Sequence, residues 1–194
     1  MSIGRSVLGF DLSPHCIDFD NCLYCFAPDK STSITKGVAS SLEFSLQSFS
    51  IKEFTLNRCR FNHKEINKFC DWIKDQHSLN SIDMSHCEIS DDDPVHILNS
   101  ISGLTVLKFL KMIKYSIGTK GAITLSELLK NNSTIVLIHL QHNSVFNEGA
   151  IAISESLKVN SLITEVILRG NPVDPATKQS FSRISNNRIK WSFW

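Results

Sequence analysis

The sequence predicts an α/β solenoid, in which short parallel strands and helices alternate along the chain and stack unit upon unit. An apolar position recurs with a constant 28-residue period, at Ile51, Leu79, Leu107, Ile135 and Ile163. The residues that follow each of these positions suit a strand, and the second half of each unit has helical spacing. Units of roughly 20–50 residues are typical of proteins that bury one continuous core by stacking.

The strand half of each unit carries three more apolar columns, counted from the recurring position as column one. Column four holds Phe54, Ile82, Leu110, Ile138 and Val166; column six holds Leu56, Met84, Met112, Leu140 and Leu168; column eleven holds Phe61, Ile89, Ile117, Val145 and Val173. Hydrophobic residues make up 42% of the chain, so an all-apolar set is not expected by chance. Because side chains alternate along a strand, columns four and six should share one buried face.

Column nine should hold a side chain that caps the backbone where the strand ends and its loop begins. Its members are Cys59, Cys87, Tyr115, Asn143 and Asn171. An asparagine amide can both donate to and accept from backbone groups, and a thiol does so more weakly. Tyr115 departs from this pattern, which makes the third unit the least regular.

The second half of each unit predicts a helix with one apolar face. The apolar positions are Ile66, Phe69 and Ile73; Val95, Leu98 and Ile101; Ala122, Leu125 and Leu129; Ala150, Ile153 and Leu157. Their spacing of three to four positions is that of a helix face. Pro94 suits a first turn after Asp91–Asp93, a helix start that we expect to be solvated. Lys-Asn-Asn at 130–132 and Lys-Val-Asn at 158–160 predict two helix ends.

The repeat resembles a known family. The 28-residue strand-plus-helix unit, the Cys or Asn in column nine and the Gly-Ala pair that opens two helices resemble the ribonuclease-inhibitor-type leucine-rich repeat over about residues 37–185. The resemblance implies a leucine-rich-repeat solenoid with parallel strands on the concave face and helices on the convex face. It implies no single activity, since the family includes inhibitors, immune-receptor sensor domains, GTPase activators, actin-filament caps and bacterial effectors.

We predict one domain over residues 1–194, with three parts. In residues 1–50, one further copy places Val7, Phe10, Leu12, His15 and Ile17 in columns one, four, six, nine and eleven, with an insertion at about residues 18–36. Residues 51–173 hold five regular repeats. Residues 174–194 should form a degenerate helix and a cap over the last repeat, in which Trp191, Phe193 and Trp194 are buried.

Bulk properties favour an intracellular protein that binds neither nucleic acid nor membranes. The net charge is +1, which provides no electrostatic attraction for polyanions. No apolar run approaches the roughly 18 residues that a membrane-spanning helix needs, and the N-terminus lacks the apolar stretch of a signal peptide. The six cysteines fit reduced thiols. We therefore expect a monomer in the cytoplasm, or one delivered into the cytosol of a host cell.

Two sequence features could carry chemistry, and neither predicts an enzyme. His15, Cys16, Cys22 and Cys25 could hold zinc, but no second CxxC occurs, so ordinary thiols without metal or cofactor are the favoured interpretation. His86 and Cys87 are adjacent, so their side chains should point apart rather than form a nucleophilic pair. No phosphate-binding glycine motif is present.

A surface is the remaining candidate site. Columns three, five and seven should face away from the core on neighbouring strands about 4.8 Å apart. Their C-terminal half predicts the partner-binding residues Phe109, Lys111, Ile113, Leu137, His139, Gln141, Ile167 and Arg169. Apolar anchors with charged neighbours are typical of protein-binding patches, although scattered exposed apolar residues are normal. Column eight adds a rim of Arg58, His86, Lys114 and His142, which is either solvated or attracts an acidic partner.

The predicted function is non-enzymatic protein binding through the concave face. The Asn-, Ser-, Lys- and Phe-rich composition hints at an AT-rich genome, and under that hint a bacterial effector acting on host proteins is one specific version. Two alternatives stay open. A GTPase-activating protein would need Arg58 or Arg169 to complete the active site of its partner. A zinc-stabilised adaptor would use the His/Cys cluster.

Overall fold

Strands and helices alternate in the computed structural model, which describes residues 16–18, 52–56, 61, 63–90, 92–184 and 187–191. The strands are β1 (Cys16–Asp18), β2 (Glu53–Thr55), β3 (Ser81–Asp83), β4 (Phe109–Lys111), β5 (Leu137–His139), β6 (Glu165–Ile167) and β7 (Ile189–Lys190). The helices are α1 (His63–Ile73), α2 (Asp93–Ile101), α3 (Thr119–Asn131), α4 (Asn147–Val159) and α5 (Pro175–Ile184). The predicted α/β alternation is confirmed.

Within the described residues the strands form one parallel sheet, in the order in which they occur along the chain. From β2 to β6 each strand pairs with the next at the same offset, so that Leu110 lies beside Ile82 on one side and Ile138 on the other. Backbone hydrogen bonds extend the pairing one position further, as from Met112 N to His139 O at 2.9 Å. The 28-residue period in the sequence is therefore the spacing between neighbours in the sheet.

The core lies between the sheet and the helices. Every described member of columns one, four and six is at most 1% exposed, and in column eleven only Ile89 is partly rather than fully buried. The predicted helix faces supply the other side of the core, with Val95 half-buried and the rest buried: Ile66, Phe69, Ile73, Leu98, Ile101, Ala122, Leu125, Leu129, Ala150, Ile153 and Leu157. Burial of a large aliphatic or aromatic side chain stabilises the fold by about 1.5–3 kcal/mol. Ile51 and Cys59 lie outside the described residues.

Small residues at the start of α3 and α4 let these helices approach closely. A Cβ added at Gly149 would lie 2.7 Å from the Cβ of Ala122, which is closer than real Cβ atoms come. At Gly121 the nearest atom to an added Cβ is Cγ2 of Ile117, at 3.1 Å. The Gly-Ala pair that opens these two helices thus has a packing role as well as a helical one.

The predicted ends of α3 and α4 are confirmed, and each is capped by a side chain that lies about one period further along the chain. The amide of Asn160 donates to Leu129 O at 2.7 Å and to Asn132 O at 2.8 Å. Arg188 lies one period further along the chain and takes the same role, because its guanidinium donates to Asn160 O at 2.6 Å and also to Leu157 O. These contacts satisfy carbonyls that a helix end leaves without intrahelical partners.

The start of α2 differs from the expectation of a solvated acidic run. Asp93 is fully buried, whereas Asp92 is exposed and Asp91 lies outside the described residues. The carboxylate of Asp93 accepts hydrogen bonds from the Ser90 hydroxyl at 2.7 Å and the Ser90 N–H at 2.9 Å, and it pairs with Nδ1 of His63 at 2.9 Å. Asp93 therefore joins the starts of α1 and α2, which is why burial of this charge is tolerated.

The predicted register of the N-terminal copy is wrong. Ile17, which we expected in column eleven, pairs with Phe54 of column four, and Asp18 belongs to β1 rather than to an insertion. The offset between paired residues is 37 rather than 44. The segment around Val7 also fits the apolar pattern, and periodicity alone does not show which of two such segments pairs with β2.

The C-terminal tail contributes β7, which pairs in parallel with β6. Trp191 is partly buried and stacks on Phe181, with ring centroids 5.9 Å apart and planes inclined by 18°. The ammonium of Lys178 lies 5.3 Å from the Trp191 ring, a cation–π distance. Phe193 and Trp194 lie outside the described residues.

Candidate functional site

One face of the sheet is not covered by the helices of the described chain. We call it the open face; it comprises the residues of columns three, five and seven in the five units that contain β2 to β6. Phe109 is 39% exposed, and the other predicted partner-binding residues are half-buried: Lys111, Ile113, Leu137, His139, Gln141, Ile167 and Arg169. The N-terminal half is polar, with Glu53 exposed and Ser85 buried, and Asn57 lies outside the described residues.

Sheet register brings the apolar members of the open face together. Phe109 on β4 is directly beside Leu137 on β5, and Ile167 on β6 is directly beside His139 on β5. Paired residues on adjacent strands lie about 4.8 Å apart, and residues two apart along a strand lie about 6.7 Å apart. These side chains therefore form one patch, although 58 positions separate Phe109 from Ile167 in the chain.

Lys111 and Asp83 form an ion pair in the middle of the open face. Oδ1 of Asp83 accepts hydrogen bonds from the Ser85 hydroxyl at 2.6 Å and from the Ser85 N–H at 3.1 Å. The other carboxylate oxygen lies 3.7 Å from Nζ of Lys111. This distance exceeds that of a good N–H···O hydrogen bond, so the pair is held by charge and Lys111 keeps donors for other acceptors.

His139 is the titratable group at the centre of the apolar patch. Burial lowers the pKa of His139 below its ordinary value of 6.5, and the Lys111 ammonium lowers it further, against smaller opposing effects of Glu165 and Asp83. Both main causes disfavour the charged imidazolium, one by removing water and the other by repulsion. The neutral ring therefore persists to more acidic pH than in a solvent-exposed histidine.

Column eight has a conformational role that we did not predict from the sequence. His86, Lys114, His142 and Gly170 all have positive φ, of 61°, 50°, 56° and 73° respectively. The strand thus ends in a left-handed turn at the same position of these four units, and the three non-glycine residues are exposed. The imidazole of His142 covers Gly170, because a Cβ there would lie 2.4 Å from Nδ1. Gly170 was the sign of this turn in the sequence, because glycine adopts a positive φ more readily than other residues. Arg58 lies outside the described residues.

Column nine caps the backbone as predicted. Oδ1 of Asn143 accepts from the N–H groups of Tyr115 and Ile117, at 2.8 and 3.0 Å, and its amide donates to Met112 O and Leu140 O, at 2.7 and 3.0 Å. A buried side chain thus links two consecutive units. These hydrogen bonds add to the sheet pairing and the shared core in positioning one unit on the next, and with it the open face.

Asn171 and Cys87, also in column nine, form fewer such bonds. Asn171 accepts from Val145 N at 3.0 Å and donates to Leu140 O at 2.8 Å and Leu168 O at 2.9 Å. The Cys87 thiol donates to Leu56 O at 3.0 Å. The phenol of the irregular member, Tyr115, is buried and lies 3.7 Å from Sδ of Met84.

The His86–Cys87 pair and the possible zinc ligands were the other candidates for chemistry. Cys87 is 2% exposed and His86 is exposed, so the two do not form a nucleophilic pair. No group of three or more His, Cys, Asp or Glu residues in the described ranges is placed to hold a metal ion. The proposed zinc ligands His15, Cys22 and Cys25 lie outside those ranges, and no side chain is described for Cys16. None of the described helices is long and apolar enough to cross a membrane.

Comparison with known proteins gives matches among solved structures. No protein-family model matches the chain, and no curated protein matches it. Among solved structures 61 chains match. One of them, described as "Leiomodin-1 Actin-Binding Site 2 (ABS2)", is 20% identical, with a TM-score of 0.47 over 54% of this chain. The match spans 65% of that chain, which is less than two thirds of its length.

Proposed function

We propose that this chain is a leucine-rich-repeat solenoid of the ribonuclease-inhibitor type that binds a protein partner through its open face, the concave side of the solenoid. The observation that carries the proposal is the patch of Phe109, Leu137 and Ile167 on three adjacent strands, with Ile113 at its edge. Buried column-nine side chains hold each unit against the next, so the patch is rigid. A rigid apolar patch with polar neighbours favours binding, because little conformational entropy is lost on association.

The proposed role is non-enzymatic, and an effector acting on host proteins is one version of it. Of the two arginines that GTPase activation could use, Arg58 lies outside the described residues. Arg169 is half-buried and already engaged in another interaction. No observation favours that alternative over simple binding.

The test is differential affinity capture with charge-substituted surfaces. We expect a Phe109→Asp/Leu137→Asp double variant to lose partners that the native chain captures, because each aspartate replaces an apolar contact of the binding patch with a charge that the partner must desolvate. A matched control is Val159→Asp/Leu162→Asp, since these residues are 69% and 47% exposed, lie outside the open face, and are also apolar.

Both double variants must unfold cooperatively in urea at a midpoint near that of the native chain. A partner lost with the first variant and kept with the control then supports the open face. Equal capture by all three proteins would contradict the proposal, and loss with the control alone would place the site at the end of α4.

A further inference from the structure

The centre of the apolar patch is polar and positively charged. Lys111 on β4 and His139 on β5 are paired in register, and apolar residues lie on several sides of the two, with Asp83 on the β3 side of Lys111. Phe109 and Leu137 precede them by two positions on the same two strands, Ile167 lies across from His139 on β6, and Ile113 follows Lys111. A partner that covers this patch must therefore bury two nitrogen-bearing side chains together with its apolar contacts.

Charge on this part of the open face is mainly positive. From β4 to β6 it carries Lys111 and Arg169 against one carboxylate, Glu165, and Lys190 of the adjoining β7 is paired with Ile167. The carboxylate of Asp83, on β3 beside Lys111, already accepts two hydrogen bonds from Ser85. Lys111 remains 41% exposed at its side chain and lies 3.7 Å from Asp83. Asp83 therefore leaves N–H donors of the Lys111 ammonium available to a partner.

We propose that the segment recognised by the open face carries one carboxylate flanked by large apolar side chains. The carboxylate meets Lys111 and His139, and the apolar groups pack on Phe109, Leu137 and Ile167. This inference rests on the proposed function and names the chemistry of its partner. A purely apolar partner would bury the Lys111 ammonium without a new acceptor, which carries a large desolvation cost. Apolar contacts around the pair exclude water and strengthen a charge-assisted hydrogen bond.

Proton uptake is a consequence of this arrangement. In the free protein His139 faces Lys111, Asp83 and Glu165, and burial and Lys111 together keep the pKa of His139 low. An incoming carboxylate stabilises the imidazolium and raises that pKa, so that binding takes up a proton. Affinity should then increase as the pH falls from 7.5 to 6.0, and a His139→Gln variant should lack this dependence.

The experiment selects binding segments directly from random sequences. A phage-displayed library of random dodecapeptides is selected on the immobilised native chain, after depletion on the Phe109→Asp/Leu137→Asp double variant. We expect enriched peptides to hold an Asp or Glu within three positions of at least two large apolar residues. The best peptide is then synthesised alongside an analogue in which its carboxylate is an amide.

Fluorescence anisotropy measures both peptides against native protein, Lys111→Met and the control Val159→Asp. We expect the amide analogue or Lys111→Met to weaken binding about tenfold or more, as loss of a charged hydrogen bond does, and Val159→Asp to leave it unchanged. Peptides that need Phe109 and Leu137 but tolerate the amide and Lys111→Met overturn this inference and leave the proposed function standing. If no peptide distinguishes native protein from the double variant, both fail.

Discussion

Asn143→Ala is expected to be strongly destabilising, because this one amide caps backbone groups of two consecutive units. Asn143 is 7% exposed, and the N–H groups of Tyr115 and Ile117 donate to its oxygen. Alanine removes the acceptor from both buried groups, and each lost hydrogen bond of this kind costs about 1.5 kcal/mol. The expected decrease in the free energy of unfolding is therefore about 3 kcal/mol, before any cost of the cavity.

Urea denaturation followed by circular dichroism measures the effect. For a slope of about 2–3 kcal/mol/M, a loss of about 3 kcal/mol lowers the urea midpoint by about 1–1.5 M. Asn171→Ala should cost less, since one N–H group, that of Val145, donates to Asn171. Asn131 is the matched control: it is exposed, and its amide contacts Glu127 O at 3.4 Å.

Two results for the urea midpoints of these variants would contradict the expectation. In the first, the free energies of unfolding of Asn143→Ala and Asn131→Ala agree within about 0.5 kcal/mol, which would mean that the column-nine hydrogen bonds contribute little to joining the units. A large loss in Asn143→Ala that is matched by Asn171→Ala would retain the capping role but reject the count of hydrogen bonds as the measure of its size.

Three further outcomes follow from buried or crowded positions. Gly149→Ala should destabilise by about 1–2 kcal/mol in urea, because its Cβ would lie 2.7 Å from that of Ala122, while Gly103→Ala, with nothing within 4 Å, should be neutral or slightly stabilising; equal effects would refute the crowding. Burial raises the pKa of Asp93, but hydrogen bonds from Ser90 and His63 outweigh this effect, so the pKa is below its ordinary value. The stability that the Asp93 carboxylate contributes is therefore present above the pKa of the unfolded state and is lost as the pH falls through the pKa of the folded state. The stability difference between native protein and Asp93→Asn should therefore shrink below about pH 4, and a difference that is constant with pH contradicts this. Trp191→Ala, which removes the ring stacked on the last helix, should cost about 2 kcal/mol in thermal unfolding, and an unchanged midpoint would show that the tail does not stabilise the last repeat.

The repeat was readable from the sequence because stacking imposes the same requirement on every unit. Leu110, Ile138 and Val166 fill equivalent positions in one core, so selection for burial leaves a 28-residue period in the chain. The capping role of Asn143 was also predictable, because an asparagine at the end of a strand has few other uses. The leucine-rich-repeat family and the partner-binding role remain predictions.

Tertiary structure alone decided the rest. Whether Asp93 is solvated or buried depends on His63, which lies 30 positions earlier and meets it only when α1 packs against α2. The register of the N-terminal copy depends on which of two similar apolar patterns pairs with β2, and that choice lies in long-range backbone hydrogen bonds. Local periodicity determines which residues share a face, whereas the identity of a side chain's distant neighbour exists only once the chain has folded.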